Sequence, residues 1–259
     1  MLYGLKLVVI CAVTVPAALL VILLGPFDRF GKRAYGITRL WAWLILTIAG
    51  VAVKVSGLRQ IDPKQRYVFM VNHQSNIDIP VLIRSLPAFQ LRWIAKRELL
   101  WVPFFGWAMW AAKHITVDRS GRFDALGSLK KAKARMKDGI SLVVFPEGTR
   151  SSDGNLLPFK RGGFLLAAKS QTPIVPVTIT GSGLILPKGD WRIRGGKIEV
   201  TVGAPLSVKD YRPATLRGLS AHVQELIEKA LQPVSKVGTP NGGGEQSATV
   251  VSMEENRLR

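Results

Sequence analysis

The stretch "YVFMVNHQSNIDIPVL", residues 67 to 82, sets His73 and Asp78 five positions apart, at the end of an apolar, strand-like run and just ahead of Pro80. A histidine in the loop after a strand, with a carboxylate in the first turn of the next helix, can have its Nδ1 proton held by that carboxylate while Nε2 faces a substrate. Such a pair works as a general base. The chain must turn between them, because a straight strand would separate the two residues by about 17 Å. The same residues also fit a simpler account, in which Asn76 or Asp78 caps a helix begun by Pro80 and His73 is an ordinary loop residue. Ser75 lacks a G-x-S-x-G elbow and reads as a hydrogen-bonding neighbour, not a nucleophile.

A second stretch, "LVVFPEGTRSSDGNLLPFKRGG" (142–163), ends an apolar strand in a turn made of Glu147, Gly148, Thr149 and Arg150. The turn suits a phosphate: Gly148 admits close backbone approach, Thr149 offers a hydroxyl, and Arg150 offers a planar fork of donors. Glu147 would repel an anion that it faced, so it is expected to take a cation or backbone donors and hold the turn in shape. The alternative is a solvated connection with a surface ion pair worth about 1 kcal/mol or less.

A third stretch, "WIAKRELLWVPFFGWAMWAAKHITVDRS" (93–120), places Lys96 and Arg97 after one strand and Asp118 and Arg119 after the next. Strand ends in open α/β sheets meet at a shared crevice, so Lys96, Arg119 and Arg150 can converge with His73 on one phosphorylated substrate. The aromatic run containing Trp101, Phe104, Phe105, Trp107 and Trp110 can line an apolar groove, dip into a membrane interface, or pack in a core. His114 and His222 have no carboxylate at a useful spacing and read as structural.

The elements that must carry these residues follow from the rhythm of the chain beyond Gly57, where short apolar runs alternate with amphipathic stretches. Strands are expected at 67–71, 91–95, 115–117, 142–145, 174–180 and 198–202. Helices are expected near 79–85, 99–111, 123–137 and 163–170. In the 123–137 segment Phe123, Leu126, Leu129 and Met136 share one face and the lysines lie largely elsewhere. The result is an α/β fold with a mixed, largely parallel sheet flanked by helices over residues 57–232. A Gly-, Ser- and Thr-rich tail at 233–259 is expected to be disordered.

Composition limits the partners. The 259 residues carry 36 Lys and Arg against 17 Asp and Glu, a formal charge of +19, which attracts polyanions of some kind. Aromatic residues cluster in apolar runs instead of alternating with basic ones, which argues against nucleic acid and for a membrane surface. One cysteine, Cys11, excludes an intramolecular disulfide framework and a four-thiolate metal site. The runs 7–24 and 40–53 carry no charge. The first just reaches membrane-spanning length, the second falls short of the roughly 20 residues required, and both have basic flanks. Residues 1–56 are therefore expected to be a two-helix hairpin dipping into one leaflet, its cations held near anionic headgroups; two buried helices of a soluble core are the alternative.

Taken together, "NHQSNID", "KREL…VPFFG…VDR", "FPEGTRS" and "VPVTI", four blocks in order across residues 55–210, resemble the glycerophospholipid acyltransferase family, and most closely its lysophosphatidic acid acyltransferases. The second block is the loosest, since "KHITVDR" lacks a glycine ahead of its strand. The resemblance implies transfer of a fatty acyl group from a coenzyme A or acyl-carrier-protein thioester to the sn-2 hydroxyl of 1-acyl-sn-glycerol 3-phosphate, with no metal and no cofactor beyond the donor. It implies that His73 is the base and Asp78 its orienting partner, and that Lys96, Arg119 and the Glu147, Gly148, Thr149 and Arg150 turn bind the acceptor phosphate. It also implies a membrane-associated amino end, here expected on the cytoplasmic face of the cell membrane. Other lysophospholipids, a lyso-ornithine lipid or glycerol 3-phosphate are alternative acceptors, and a non-catalytic basic membrane-surface protein is the alternative of a different class.

Overall fold

The structure, a computed structural model, describes residues 2–117, 127, 130, 132–134, 136, 138–209, 211 and 215–231. Two helices, α1 (Leu2–Leu24) and α2 (Lys32–Ala49), precede a seven-stranded sheet. Its strands are β1 (Val51–Ser56), β2 (Val68–Val71), β3 (Leu91–Lys96), β4 (Ile115–Val117), β5 (Ser141–Val144), β6 (Ile174–Thr180) and β7 (Gly196–Val202), in the order β1-β7-β6-β2-β5-β3-β4. Every pairing is parallel except β6 with β7. Helices α3 (Asp78–Ser85), α4 (Phe105–Ala111), α5 (Gly162–Ser170), α6 (Ser182–Ile185) and α7 (Leu216–Ala230) complete the described fold.

Both faces of the central strands are covered, which is why β2 and β5 read as unbroken apolar runs instead of alternating ones. Along β2, Phe69 and Val71 point with Tyr67 into a core shared with α2 and α3, where Leu46, Val81 and Leu82 pack. Val68 and Met70 point the other way, toward Phe164 of α5 and Leu219, Val223 and Ile227 of α7.

The six expected strands are all present, with ends shifted by a residue or two. Two differences have clear causes. The second uncharged run, 40–53, is not one membrane helix: α2 stops at Ala49, and Gly50, at φ 72°, closes it by donating to the carbonyls of Leu46 and Thr47. The alternating "VAVKVS" then pairs in parallel with β7, so β-branched residues at every second position outweigh the uniform hydropathy of the run. The expected 99–111 helix is likewise split. A 3-10 turn covers Arg97–Trp101, Pro103 interrupts, and α4 begins only at Phe105. Of the 123–137 helix, residues 127, 130, 132–134 and 136 are helical; the rest lies outside the described residues, as does the 233–259 tail. Helix α7 was not anticipated, although Leu216, Leu219, Val223 and Ile227 mark its buried face at helical spacing.

Helix α1 keeps one flank on the body of the protein along most of its length. Lys6 Nζ donates to the carbonyl of Ala49 (2.9 Å), Thr14 accepts from the Trp41 indole (3.0 Å), and Val21 packs with Ala34, Ala111 and Ala112. The link from α1 to α2 is pinned by Arg92 of β3, a buried residue whose guanidinium donates to the carbonyls of Phe30 (3.0 Å), Gly31 (2.8 Å) and Leu91 (2.8 Å). Residues 2–27 form the one helical segment, among the described residues, that is long and apolar enough to cross a membrane.

Candidate active site

The site is built at the carboxyl ends of β2, β3 and β5, where an α/β sheet opens. Strand β2 ends at Val71, and the Asn72 amide continues its pairing with β6, donating to the Ile179 carbonyl (2.9 Å) and accepting from the Ile179 N–H (2.7 Å). That clamp fixes where the chain leaves the sheet. The turn that follows brings His73 back onto the first residue of α3: His73 Nδ1 lies 2.8 Å from Asp78 Oδ2. The same oxygen accepts the N–H groups of Gln74 and Ser75, both at 2.9 Å. Asp78 is fully buried, so its carboxylate is held by these three donors alone among the described residues. Because Oδ2 accepts from backbone amides, it is an acceptor toward the ring as well, and the His73 proton sits on Nδ1. Nε2 is thereby left with a free lone pair, and the imidazole, 15% exposed, opens into a cavity.

The ring is held from a third direction by Phe145, which stacks on it with centroids 3.9 Å apart and planes 14° apart. Glu147 holds the backbone beneath it. Its buried carboxylate accepts the His73 N–H (Oε1, 2.6 Å) and the Leu157 N–H (Oε2, 2.9 Å), while the His73 carbonyl accepts from Ser151 (2.8 Å). Burial pushes the Glu147 carboxyl above its ordinary range, and the two N–H bonds oppose that rise. Glu147 thus takes backbone donors, as expected from the sequence, and both its carboxylate oxygens hold the turn in shape. Ser75 is buried and braced, donating to the Leu186 carbonyl (2.7 Å) and accepting from Ile77 N–H (3.2 Å), which is the neighbourly role expected of it.

Lys96, Gly148, Thr149 and Arg150 line the same cavity, of about 420 Å³, as His73. Gly148 adopts φ 74°, a left-handed conformation that the turn requires and that side chains disfavour. Neither Lys96 nor Arg150 forms an ion pair among the described residues, so both cations stand ready at the cavity rim, and the Arg150 carbonyl is fixed by Lys188 Nζ (2.9 Å). Arg119 lies outside the described residues. The remaining wall is apolar: Ala17, Ala18 and Val21 of α1, Ile79 and Ile83 of α3, and Phe105, Ala108 and Met109 of α4. One cavity therefore joins a proton acceptor, a cationic rim and an apolar limb, the three needs of a lipid bearing a phosphate.

Two contributors were not read from the sequence. Phe145 and Asn72 open two of the motif blocks but announce nothing by type, and only their contacts show what they do. His114 also lines the cavity, with Nδ1 accepting the Trp93 N–H at 3.3 Å. Burial, assisted by the Arg92 guanidinium, holds its pKa down to about 3, so it is neutral and structural, as the lack of a partnered carboxylate suggested.

Comparison with known proteins agrees with this geometry. Residues 52–180 match the family model described as Acyltransferase. The 1-acyl-sn-glycerol-3-phosphate acyltransferase alpha of Ovis aries is 35% identical over 210 residues, covering 81% of this chain and 72% of the sheep protein. The 1-acyl-sn-glycerol-3-phosphate acyltransferase of Pseudomonas aeruginosa is 31% identical over 219 residues, 83% of this chain and 84% of its own length. Among solved structures, the 1-acyl-sn-glycerophosphate (LPA) acyltransferase PlsC of Thermotoga maritima superposes with a TM-score of 0.74 at 26% identity, over 92% of this chain and 97% of that one. With relatives of this similarity over most of both lengths, the chain belongs to the family of 1-acyl-sn-glycerol-3-phosphate acyltransferases.

Proposed function

We propose that this chain transfers a fatty acyl group from a coenzyme A or acyl-carrier-protein thioester to the sn-2 hydroxyl of 1-acyl-sn-glycerol 3-phosphate, forming phosphatidic acid. The observation that carries the reading is the shared cavity, in which His73, with its Nδ1 committed to Asp78, faces the same space as Lys96, Thr149 and Arg150. A glycerol hydroxyl does not ionise near neutrality. His73 Nε2 takes its proton as the oxygen attacks the thioester carbonyl, a contribution of about 10²- to 10⁴-fold. The tetrahedral intermediate then collapses and expels the thiolate, and the proton on His73 Nε2 passes to the departing sulfur, giving the free thiol and restoring the neutral imidazole. Since a thiolate leaves readily, the proposal needs neither a covalent serine intermediate nor a metal. The imidazolium formed in the first step is stabilised by the Asp78 carboxylate.

The cationic rim anchors the acceptor phosphate and so places the hydroxyl against His73, converting binding into orientation. It also selects against neutral glycerides. The apolar limb receives hydrocarbon chain. The formal charge of +19 supports residence at an anionic membrane surface, and the same reading puts the enzyme on the cytoplasmic face of the cell membrane.

The test is acyl transfer in detergent micelles, with acyl-CoA and acyl-carrier protein as parallel donors and lysophosphatidic acid, lysophosphatidylcholine and glycerol 3-phosphate as parallel acceptors. Phosphatidic acid is the expected product, from at least one donor. Turnover confined to lysophosphatidylcholine would overturn the phosphate-monoester acceptor, and transfer to none of the three would overturn the activity.

A further inference from the structure

Residues 97–113 expose a cluster of large aromatic side chains. Trp101 is 84% exposed, Trp110 66% and Trp107 54%, and Phe104 is also exposed. Trp107 and Trp110, three positions apart, share the outer face of α4, while Ala108 and Met109 face the cavity. The cavity does not use these tryptophans: it takes Leu99, Phe105, Ala108, Met109 and Ala112 from this segment and leaves Trp101, Trp107 and Trp110 outside. Nor is the segment slack. Phe104 is held at φ 61° and Lys113 at φ 63°, left-handed values that cost non-glycine residues energy, so the surrounding packing maintains this presentation.

The surroundings indicate what covers the patch. Ala111 and Ala112 at the end of α4 pack against Val21 of α1, the helix of membrane-crossing length, so the aromatic face adjoins the exposed apolar flank of α1 at its carboxyl end. The turn there adds Phe27, 79% exposed, and Arg29, whose guanidinium lies 5.4 Å from the Phe30 ring centroid. Lys113 Nζ stands 5.3 Å from the centroid of Trp110, and Lys96, Lys32 and Arg33 are exposed nearby in the chain. Tryptophan and phenylalanine flanked by lysine and arginine, beside a long apolar helix, is the composition of a protein segment that lies in the headgroup layer of a bilayer.

We propose that the 97–113 segment is a second membrane-contact element, separate from the amino-terminal helix, whose Trp101, Trp107 and Trp110 lie in the headgroup region of an anionic bilayer. One side of α4 then meets lipid and the other walls the cavity. Embedding this element therefore sets the depth of the cavity mouth in the leaflet from which a lipid acceptor is drawn. The inference does not depend on which acceptor is used.

Two measurements on the full chain test it. In the first, a Cys11→Ser, Trp107→Cys variant carries an environment-sensitive fluorophore at position 107 and is mixed with phosphatidylcholine–phosphatidylglycerol vesicles. Quenching by nitroxides attached at headgroup level, with protection from aqueous iodide, is expected; continued iodide quenching of the vesicle-bound protein overturns the proposal. Protection that scales with protein and not with lipid would assign the face to a second copy, and also overturns it. In the second, Trp101, Trp107 and Trp110 are replaced together by serine. Vesicle affinity should fall about tenfold or more, since burial of roughly 60 Å² of apolar surface is already worth that factor. Transfer to a short-chain, monomerically dissolved lysophosphatidic acid should be unchanged, which shows that the variant is folded and keeps the proposed activity separate from the surface. Undiminished vesicle affinity in that active variant overturns the proposal.

Discussion

Two histidines line one cavity and do opposite things, and the difference lies in what each Nδ1 faces. At His73 it faces a carboxylate oxygen, so Nδ1 carries the proton and Nε2 is a bare acceptor open to the cavity. At His114 it faces the Trp93 N–H, which can only donate, so Nδ1 is bare and the proton of the neutral ring is on Nε2. A base needs the first arrangement; the second cannot accept a proton from a substrate at Nε2. Residue type and proximity to the cavity are therefore insufficient to identify a catalytic histidine, and the partner on the far nitrogen decides.

The sharpest way to break this contrast is to remove the base. His73→Ala should lower kcat by about 10²- to 10⁴-fold with the acceptor KM little changed, measured as phosphatidic acid formed per unit time. Retention of activity within threefold would leave the dyad without a catalytic role. Asp78→Asn tests the partner itself: the amide oxygen can keep the Gln74 and Ser75 N–H bonds and the His73 Nδ1 proton, but the negative charge that stabilises the imidazolium is gone. A kcat loss of about 10²-fold or more is expected, with the fold unchanged by circular dichroism. If Asn supports full turnover, orientation by hydrogen bonding matters and the carboxylate does not.

Arg150→Ala should act differently, raising KM for lysophosphatidic acid roughly 10- to 100-fold through loss of one charge-assisted hydrogen bond, with a smaller effect on kcat. The acceptor-concentration dependence of the rate separates it from the dyad variants. Arg92→Met concerns the frame around both histidines: it leaves the carbonyls of Phe30 and Gly31 without their donor and should cost roughly 3 kcal/mol, seen as a lower unfolding midpoint in detergent.

The smallest effect on activity belongs to His114→Gln, whose amide oxygen can still accept the Trp93 N–H; turnover should stay within a few-fold. Its signature is in stability. Unfolded His114 binds a proton near pH 6.5 and the folded residue only near pH 3, so between those values the unfolded chain holds more protons and wild-type stability falls as pH falls. The variant should lose about 1–2 kcal/mol less than wild type between pH 7 and pH 5, read from denaturant unfolding at each pH. Equal pH dependence in the two proteins would mean that His114 is protonated as readily folded as unfolded.

The apolar runs at 7–24 and 40–53 teach a similar lesson about context. Both lack charge, yet α1 keeps one flank exposed along its length, while in the second run α2 buries Ala42, Ile45, Leu46 and Ala49 and the residues from Val51 on belong to β1. The glycine at 50 and the alternating valines after it were visible, but a uniform apolar count hides them. Helix α7 was missed for another reason: its spacing was clear, but it follows the last expected strand, where no βα rhythm called for another element.

What the amino-acid sequence determined by itself was the inventory and its order. His73 and Asp78 at a strand-to-helix turn, the Glu147–Arg150 turn, the six alternating strands and the basic, membrane-prone composition all follow from local spacing, because each depends on residues within a few positions of one another. Convergence was decided only by tertiary structure. Val144 and Val71 must end at neighbouring points of one sheet for Phe145 to stack on His73 and for Glu147 to receive its N–H, across 74 positions of chain. The apolar limb requires α1 to lie against α4, and the two histidines acquire opposite roles only when β3 and α3 present a donor to one and an acceptor to the other. These are long-range contacts, set by how the helices and sheet bury their apolar faces together, and no local pattern encodes them.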